Sequence, residues 1–341
     1  MEQKQCYAFK HNSEKIRRCS TSGGAFSALA ETFVENGGVV YGAALSKEDM
    51  LVRHIRINSS DEISKLQGSK YLQSIIGEVY KQIKEDLKQG RKVLFSGTPC
   101  QVAGLKKYIG LNCEGLFTCD IICHGVSSPL IWREFILFKE LQLGGKVRNA
   151  CFRDKQDYLW SNCKETIYVE NLDTGEIKKE SADEYAQIFY GHEAMRPSCY
   201  QCRFTNLDRP GDITLGDFWG IEKTHPEIYD ELGVSFVMQN SEKGCELMNM
   251  LSSRGIIIKA AINETRQPQL YKPVRQPSTR RWFWTKYEKR GLEYVIQNNL
   301  NKYSIINIRR NIISKTKSIV KIMLAFIRSF RRNSDEHSKK Q

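Results

Sequence analysis

Between Cys6 and about Gly144 the chain alternates short apolar runs with amphipathic stretches of helical length. Gly24–Asn36 reads as a helix, Val39–Leu45 and Leu51–Ile57 as strands across a charged turn, and Ile75–Gln89 as a helix with one polar face. Lys92–Phe95 follows as a buried strand, Pro99–Tyr108 as a helix, Leu116–Ile122 as a strand and Pro129–Leu143 as a long helix. Strands joined by helices of about 10–15 residues form βαβ units, whose strands must lie parallel. The expected fold is therefore mixed α/β: a mainly parallel sheet with flanking helices.

Past Val147 the texture changes. Thr166–Glu170 and Glu176–Lys179 flank Asp173-Thr174-Gly175, a hairpin signal. A helix near Ala182–Gly191, a cysteine-bearing loop and the strand Val234–Gln239 come next. Asn263–Thr279 holds three of the eight prolines and reads as an extended arm, and Trp282–Asn299 as a helix. The expected divisions are 1–145, an α/β ligand-binding part; 146–262, a smaller β-containing, cysteine-rich part; 263–300, the arm and helix; and 301–341, a basic helical tail.

That tail carries most of the charge. It holds 11 Lys/Arg against 2 Asp/Glu, a net of +9 out of +13 for the whole chain. Within Asn307–Asn333, Ile308, Ile312, Ile319, Ile322, Met323, Phe326, Ile327 and Phe330 recur at helical spacing, opposite cationic residues. Such a helix suits an anionic membrane surface, or equally a docking site on the body or a partner. The body lacks a basic patch interleaved with aromatics, so nucleic acid is not expected as a partner. Residues 1–20 have no apolar run of the export type, and the longest apolar stretch, Ile319–Ile327, is short and interrupted by Lys321. A cytoplasmic protein is expected, with peripheral contact at the inner face of the membrane as one of the two readings of the tail.

Two strand–helix junctions stand out. Val93-Leu94-Phe95-Ser96-Gly97 runs into Thr98 as N-cap and Pro99 at the first helical position, with Cys100 and Gln101 next. In a βαβ unit this point lies at the carboxyl edge of the sheet, where helix N–H groups attract an anion. Ser20-Thr21-Ser22-Gly23-Gly24-Ala25 precedes Phe26–Asn36 and has hydroxyls and glycines that admit a phosphate or ring edge; plain capping by Ser22 is the simpler reading. No Walker or GxGxxG pattern is present. Gly68-Ser69-Lys70-Tyr71 adds a glycine–serine turn with a cation.

Eleven cysteines are many for a reducing compartment, which disfavours disulfides. Cys199-Tyr200-Gln201-Cys202 is a CxxC and Cys119-Asp120-Ile121-Ile122-Cys123 a CxxxC at a strand end. Two such pairs supply the thiolates of a 4Fe-4S cluster or a structural zinc, with Cys100 a fifth thiol at the same edge. A redox dithiol at Cys199/Cys202 is a further reading. Cys6, Cys19, Cys113, Cys151, Cys163 and Cys245 are isolated, and burial is the default for each. His124 can orient a cofactor or pass a proton. Asp212–Gly220 reads as a strand ending in an acidic-aromatic turn, where Asp217 and Trp219 can hold a heterocycle or simply pack.

Taken in order, Ser22-Gly23-Gly24-Ala25-Phe26, Gly68–Tyr71, Gly97–Gln101, Cys119–Gly125 (CDIICHG), Arg196–Phe204 (RPSCYQCRF) and Asp212–Gly220 (DITLGDFWG) resemble the coenzyme F420 hydrogenase/dehydrogenase beta-subunit family, which includes 7-hydroxymethyl chlorophyll a reductase. The resemblance covers about residues 5–255. It implies an iron–sulfur flavoprotein oxidoreductase, with FAD against the α/β part and a 4Fe-4S cluster beside it. Carried over by motif, Ser22, Gly23, Gly24, Ser69, Lys70, Thr98 and Gln101 would contact FAD. Cys119, Cys123, Cys199 and Cys202 would hold the cluster, with Cys100 as alternative ligand, and His124 and Asp217 would line the flavin or substrate pocket.

Many bacterial members begin with a ferredoxin module, CxxCxxCxxxCP, whereas only Cys6 and Cys19 lie near the start here. The resemblance then implies a separate ferredoxin-like carrier or subunit as electron partner, or a remnant enzyme with altered use. It also implies a small-molecule substrate or a deazaflavin-type coenzyme, and a setting in bacterial polysaccharide biosynthesis. The competing expectation is a zinc-stabilised, non-redox membrane-surface protein of a polysaccharide assembly pathway.

Overall fold

The computed structural model describes residues 4–110 and 113–298. The chain divides into two units, Met1–Arg281 and Trp282–Gln341. Of the second, residues 282–298 are described and are helical. The basic stretch Asn307–Asn333 lies outside the described residues, as does all of 301–341.

The first unit opens with β1 (Gln5–His11), α1 (Glu14–Cys19), α2 (Ala25–Glu35) and the hairpin β2 (Val39–Leu45) and β3 (Val52–Ile57). Then come α3 (Ile63–Leu66), α4 (Val79–Lys88), β4 (Val93–Gly97), α5 (Pro99–Ile109), β5 (Leu116–Ile121) and α6 (Pro129–Leu143). A separate antiparallel sheet follows: β6 (Gly145–Asp154), β7 (Lys164–Asn171) and β8 (Ile177–Ser181), with α7 (Asp183–Gly191) after it. The remaining elements are β9 (Ile213–Asp217), α8 (Ile221–Thr224), β10 (Ser235–Gln239), α9 (Glu242–Ser252) and β11 (Gly255–Ala260).

Eight strands form the main sheet in the order β11-β1-β10-β9-β5-β4-β2-β3. Its centre is parallel, as expected: β2 pairs with β4, β4 with β5, and β5 with β9. Antiparallel strands extend both sides, with β3 on β2 and with β10, β1 and β11 beyond β9. Strands from either side of residue 145 thus share one sheet. The change of texture near Val147 marks the insertion of the small sheet, whose β7–β8 turn falls at Asp173-Thr174-Gly175 with Gly175 at φ +69°.

Alternate residues of each strand face opposite layers. Phe9, Leu94, Phe117, Cys119 and Val237 pack under α2 and α9 with Leu29, Phe33, Leu247 and Leu251. Val93, Phe95 and Tyr41 point the other way, against Ile83 of α4 and Val102 and Leu105 of α5. Ala8, Phe236 and Met238 continue that second layer with Trp160, Phe218 and Leu270. Each such large apolar side chain, fully buried, contributes about 1.5–3 kcal/mol against the cost of ordering the chain. The helix expected over Ile75–Gln89 begins only at Val79. Gly77 sits at φ +51°, and Ile75 instead exchanges backbone hydrogen bonds with Val52 and His54 of β3.

Candidate functional site

The carboxyl ends of β4, β5 and β9 open into a cavity of about 540 Å³. This is where a parallel sheet places its ligands, because helix N-termini and loops converge there. One wall is the turn before α2. Ser22 Oγ donates to Val234 O at 2.7 Å, Thr21 Oγ1 lies 3.0 Å from Ser69 Oγ, and Lys155 Nζ donates to the carbonyls of Arg17, Ser22 and Leu232. Ser22, Gly24 and Ser69 line the cavity. Gly23 does not: a Cβ there would fall 2.3 Å from Phe9 O and 2.6 Å from Ser235 N, so its role is close approach of backbones. Gly24, at φ +89°, starts α2 without a side chain of its own to cap it; Ala25 N reaches Ser235 Oγ at 3.5 Å, which leaves the N–H groups of Phe26 and Ser27 for a ligand.

The second junction is organised differently. Gln101 Oε1 accepts from Thr98 N and from Thr98 Oγ1, both at 3.0 Å, and its Nε2 donates to Ser74 Oγ at 2.8 Å. Thr98 and Gln101 line the cavity, but these groups are spent on fixing the start of α5. Beyond Ser74 lies His54, which the sequence did not single out. Its Nδ1 is 3.0 Å from Ser74 Oγ, its Nε2 3.0 Å from Ser96 O, and its ring stacks on Phe95. Burial pushes this imidazole down to about 4, so it is neutral at pH 7.

Two cations face the space. Lys70 Nζ donates to the carbonyls of Leu66, Gln67 and Gly68 at 2.8–3.1 Å, and desolvation lowers it to about 7. Arg153, brought in by β6, donates to Asp217 Oδ2 and to Cys163 Sγ, and lies over Trp219 at 5.2 Å. Asp217 Oδ1 also accepts from Trp160 Nε1 at 2.7 Å, and Trp160 stacks on Trp219 at 4.4 Å. Asp217 lines the cavity, with its carboxylate engaged in orienting Arg153 and the indole pair. His124 lines it too, its Nε2 2.7 Å from His192 Nε2; burial, and then His192, lower it to about 4.

Of the cysteines, Cys163, beside Arg153, and Cys123 border the cavity, and Cys123 is the one with other thiols around it. Burial raises its thiol to about 12, and the other thiols that act on it electrostatically are Cys199, Cys100 and Cys202. Cys199 in turn senses Cys100 and Cys202. The two loops are laced together by Arg196 N to Val126 O and Ser128 N to Ala194 O, and by Gly125 at φ +110°, where a Cβ would meet Met195 Sδ at 2.6 Å. Cys119 is not with them. It is fully buried in the core under α2 and α9, and burial drives its thiol well above the ordinary range. Cys100, Cys123, Cys199 and Cys202 are therefore the thiols within electrostatic reach of one another, whereas Cys119, expected among them, lies apart in the core. The reason is that β5 ends at Ile121: Cys119 keeps the inward direction of the strand, while Cys123 follows the turn out of it. Among the described residues no three His, Cys, Asp or Glu side chains are already drawn into metal-ligand geometry.

These features suit the groups that the sequence suggested. The uncapped start of α2 and two cations suit an anionic, ring-bearing ligand. Four neighbouring thiols without a carboxylate or imidazole in the set suit a soft metal centre, which would deprotonate them on binding.

The structure thus defines a class: a mixed α/β sheet with a cavity at its carboxyl edge and a group of thiols alongside. Its affiliation is more particular. Residues 6–81 match the N-terminal model, and residues 90–265 the C-terminal model, of the coenzyme F420 hydrogenase/dehydrogenase beta subunit. The chain belongs to this oxidoreductase family. Among solved structures it is similar to a chain of the F420-reducing [NiFe] hydrogenase complex from Methanosarcina barkeri, with 18% identity over 77% of this chain and 84% of that one and a TM-score of 0.48. The comparison with curated proteins finds no match. No helix of the described residues is long and apolar enough to cross a membrane.

Proposed function

We propose that this chain is an iron–sulfur flavoprotein oxidoreductase that works with a ferredoxin-like carrier or subunit. What chiefly supports the reading is the adjacency of a ring-and-anion cavity to four thiols, with Cys123 shared between them. FAD, when bound, supplies hydride exchange with an organic substrate or deazaflavin-type coenzyme and single-electron exchange with a 4Fe-4S cluster. The chain's own part is binding and orientation. The α2 start, Ser69 and Lys70 hold the anionic portion, whose charge would favour the protonated form of Lys70. Trp160, Trp219 and Arg153 form a flat cationic wall for the substrate side, held by Asp217. Cys100, Cys123, Cys199 and Cys202 hold the cluster. Arg280 keeps the last two in place: it donates to Glu193 O, Met195 O and Tyr200 Oη and lies over the Tyr200 ring. A setting in polysaccharide biosynthesis belongs to this proposal.

The test is an anaerobic absorbance spectrum before and after dithionite, with flavin, iron and zinc assayed on the same sample. The expected result is bound FAD and about four irons, bleaching on reduction. Cys100→Ala should then lose the iron, whereas Cys119→Ala should keep it and lower the melting temperature. A colourless protein with one zinc and no flavin, unchanged by reconstitution, favours the zinc-stabilised alternative.

A further inference from the structure

Part of the cavity wall is aromatic, and its hydroxyls connect to a carboxyl that does not line the cavity. Tyr71 and Tyr190 both line the cavity. Tyr71 stacks face to face on Phe189 at 4.3 Å and meets Tyr190 edge-on at 5.8 Å. Tyr190 Oη lies 3.1 Å from Tyr71 Oη and 3.2 Å from Glu165 Oε1. Glu165, at the start of β7, is 7% exposed. Three oxygens thus stand in line from a buried carboxyl to the cavity.

A phenol has one hydrogen to give. If Glu165 is ionised, Tyr190 gives it to the carboxylate and offers Tyr71 only a lone pair. When Glu165 is protonated, its O–H turns to Tyr190, Tyr190 turns to Tyr71, and the Tyr71 hydrogen is released towards the cavity. The protonation state of one carboxyl therefore decides whether the wall presents a donor. We propose that Glu165, Tyr190 and Tyr71 form a relay that hands one proton to the group reduced in the cavity.

The proton count fits the electron supply. Carriers that deliver electrons singly bring no protons, whereas two-electron reduction of a flavin takes up at least one from its surroundings. In one pass the Glu165 O–H bond breaks as the Tyr190 O–H bond forms, the old Tyr190 O–H breaks as a Tyr71 O–H forms, and the old Tyr71 O–H supplies the acceptor. Glu165 is left as a carboxylate; both tyrosines end neutral. Desolvation raises both phenols above their usual range, which keeps them neutral carriers, with Tyr71 the more enclosed and the Tyr190 side chain half-exposed. Burial also raises Glu165, to about 7, where a proton is both held and released near neutral pH. Around it, Tyr190 of α7 and Arg153 of β6 favour the carboxylate, and Asp183 at the start of α7 opposes it.

The acceptor rests on the flavin reading, so the test reads the relay twice. Without flavin, infrared difference spectra against pH should show a carboxyl titrating near 7. It should vanish in Glu165→Gln and move upwards in Tyr190→Phe, which removes the hydrogen bond that favours the carboxylate. With FAD bound to saturation, reduction by a single-electron donor should slow at least tenfold in Tyr190→Phe, Tyr71→Phe and Glu165→Gln, and in Glu165→Gln, which lies outside the cavity lining, FAD affinity should be unchanged. The wild-type rate should follow the Glu165 titration, and the Glu165→Gln rate should lose that dependence. A Glu165 that titrates in the ordinary carboxylate range, or a Tyr190→Phe protein with unaltered titration and pH profile, overturns the relay. A protein that takes up no FAD overturns the functional reading, and the flavin-free titration still decides whether the carboxyl and the two phenols are coupled as proposed.

Discussion

His54 is held neutral between a carbonyl and a serine hydroxyl, and this has a consequence for acid stability. Its imidazole sits at about 4 in the fold and at its ordinary 6.5 once unfolded. The native state therefore binds fewer protons than the unfolded state between these values. The contribution is fully present above pH 6.5 and is lost as pH falls towards 4, by roughly 3 kcal/mol for this shift. Urea midpoints at pH 7 and 4.5 should differ less in His54→Gln than in the wild type. An identical difference would show that the ring is charged in the fold. Nothing around His54 in the sequence marks it. Its partners Ser74 and Ser96 are 20 and 42 residues away, and only the sheet brings them to it. The same holds for Arg153, whose partner Asp217 comes from another strand 64 residues on.

Helix starts marked by a proline, by contrast, were legible. Thr98-Pro99 and Ser128-Pro129 begin α5 and α6 where the residue types demand, because a proline at the first position loses no hydrogen bond. The sequence did not disclose that Gln101 folds back on Thr98 and also holds Ser74. Gln101→Ala should cost about 1–2 kcal/mol through the lost cap and should loosen His54 through Ser74, so thermal melts would show a lower midpoint together with a raised His54 pKa by NMR. Strands were harder. In β1, Cys6 and Ala8 face one layer and Tyr7 and Phe9 the other. Both faces are covered, so no alternation of apolar and polar residues announces a strand. β11 gave the same weak signal, and β6 is recognisable chiefly through its pairing with β7.

The central sheet closes only because distant segments meet. β5 and β9 pair across about ninety residues of chain, and a buried ion pair ties their ends: Arg209 donates to Asp120 Oδ1 and to the carbonyls of Ile121 and Phe204, while Gly211 N donates to Asp120 Oδ2. Arg209→Met should cost about 3–5 kcal/mol, since it strands the buried Asp120 carboxyl, and Asp120→Asn combined with Arg209→Met should recover part of that loss. Denaturant unfolding of the three proteins measures it. Gly23→Ala should be comparably damaging, because the added methyl meets the backbone of β1 and β10 rather than a side chain that can move.

Local chemistry alone determined the α/β class, the starts of α5 and α6 and the β7–β8 turn, together with the motifs that carry the family resemblance. All of these depend on residues within a few positions of one another. Only the tertiary structure decided which thiols stand together and which carboxyls and phenols line up. A strand's side chains are assigned to opposite faces by where it ends and what it pairs with. Thus Cys119 of β5 enters the core while Cys100, at the start of α5, reaches the neighbourhood of Cys123, Cys199 and Cys202. Spacing along a chain cannot report a distance set by long-range register.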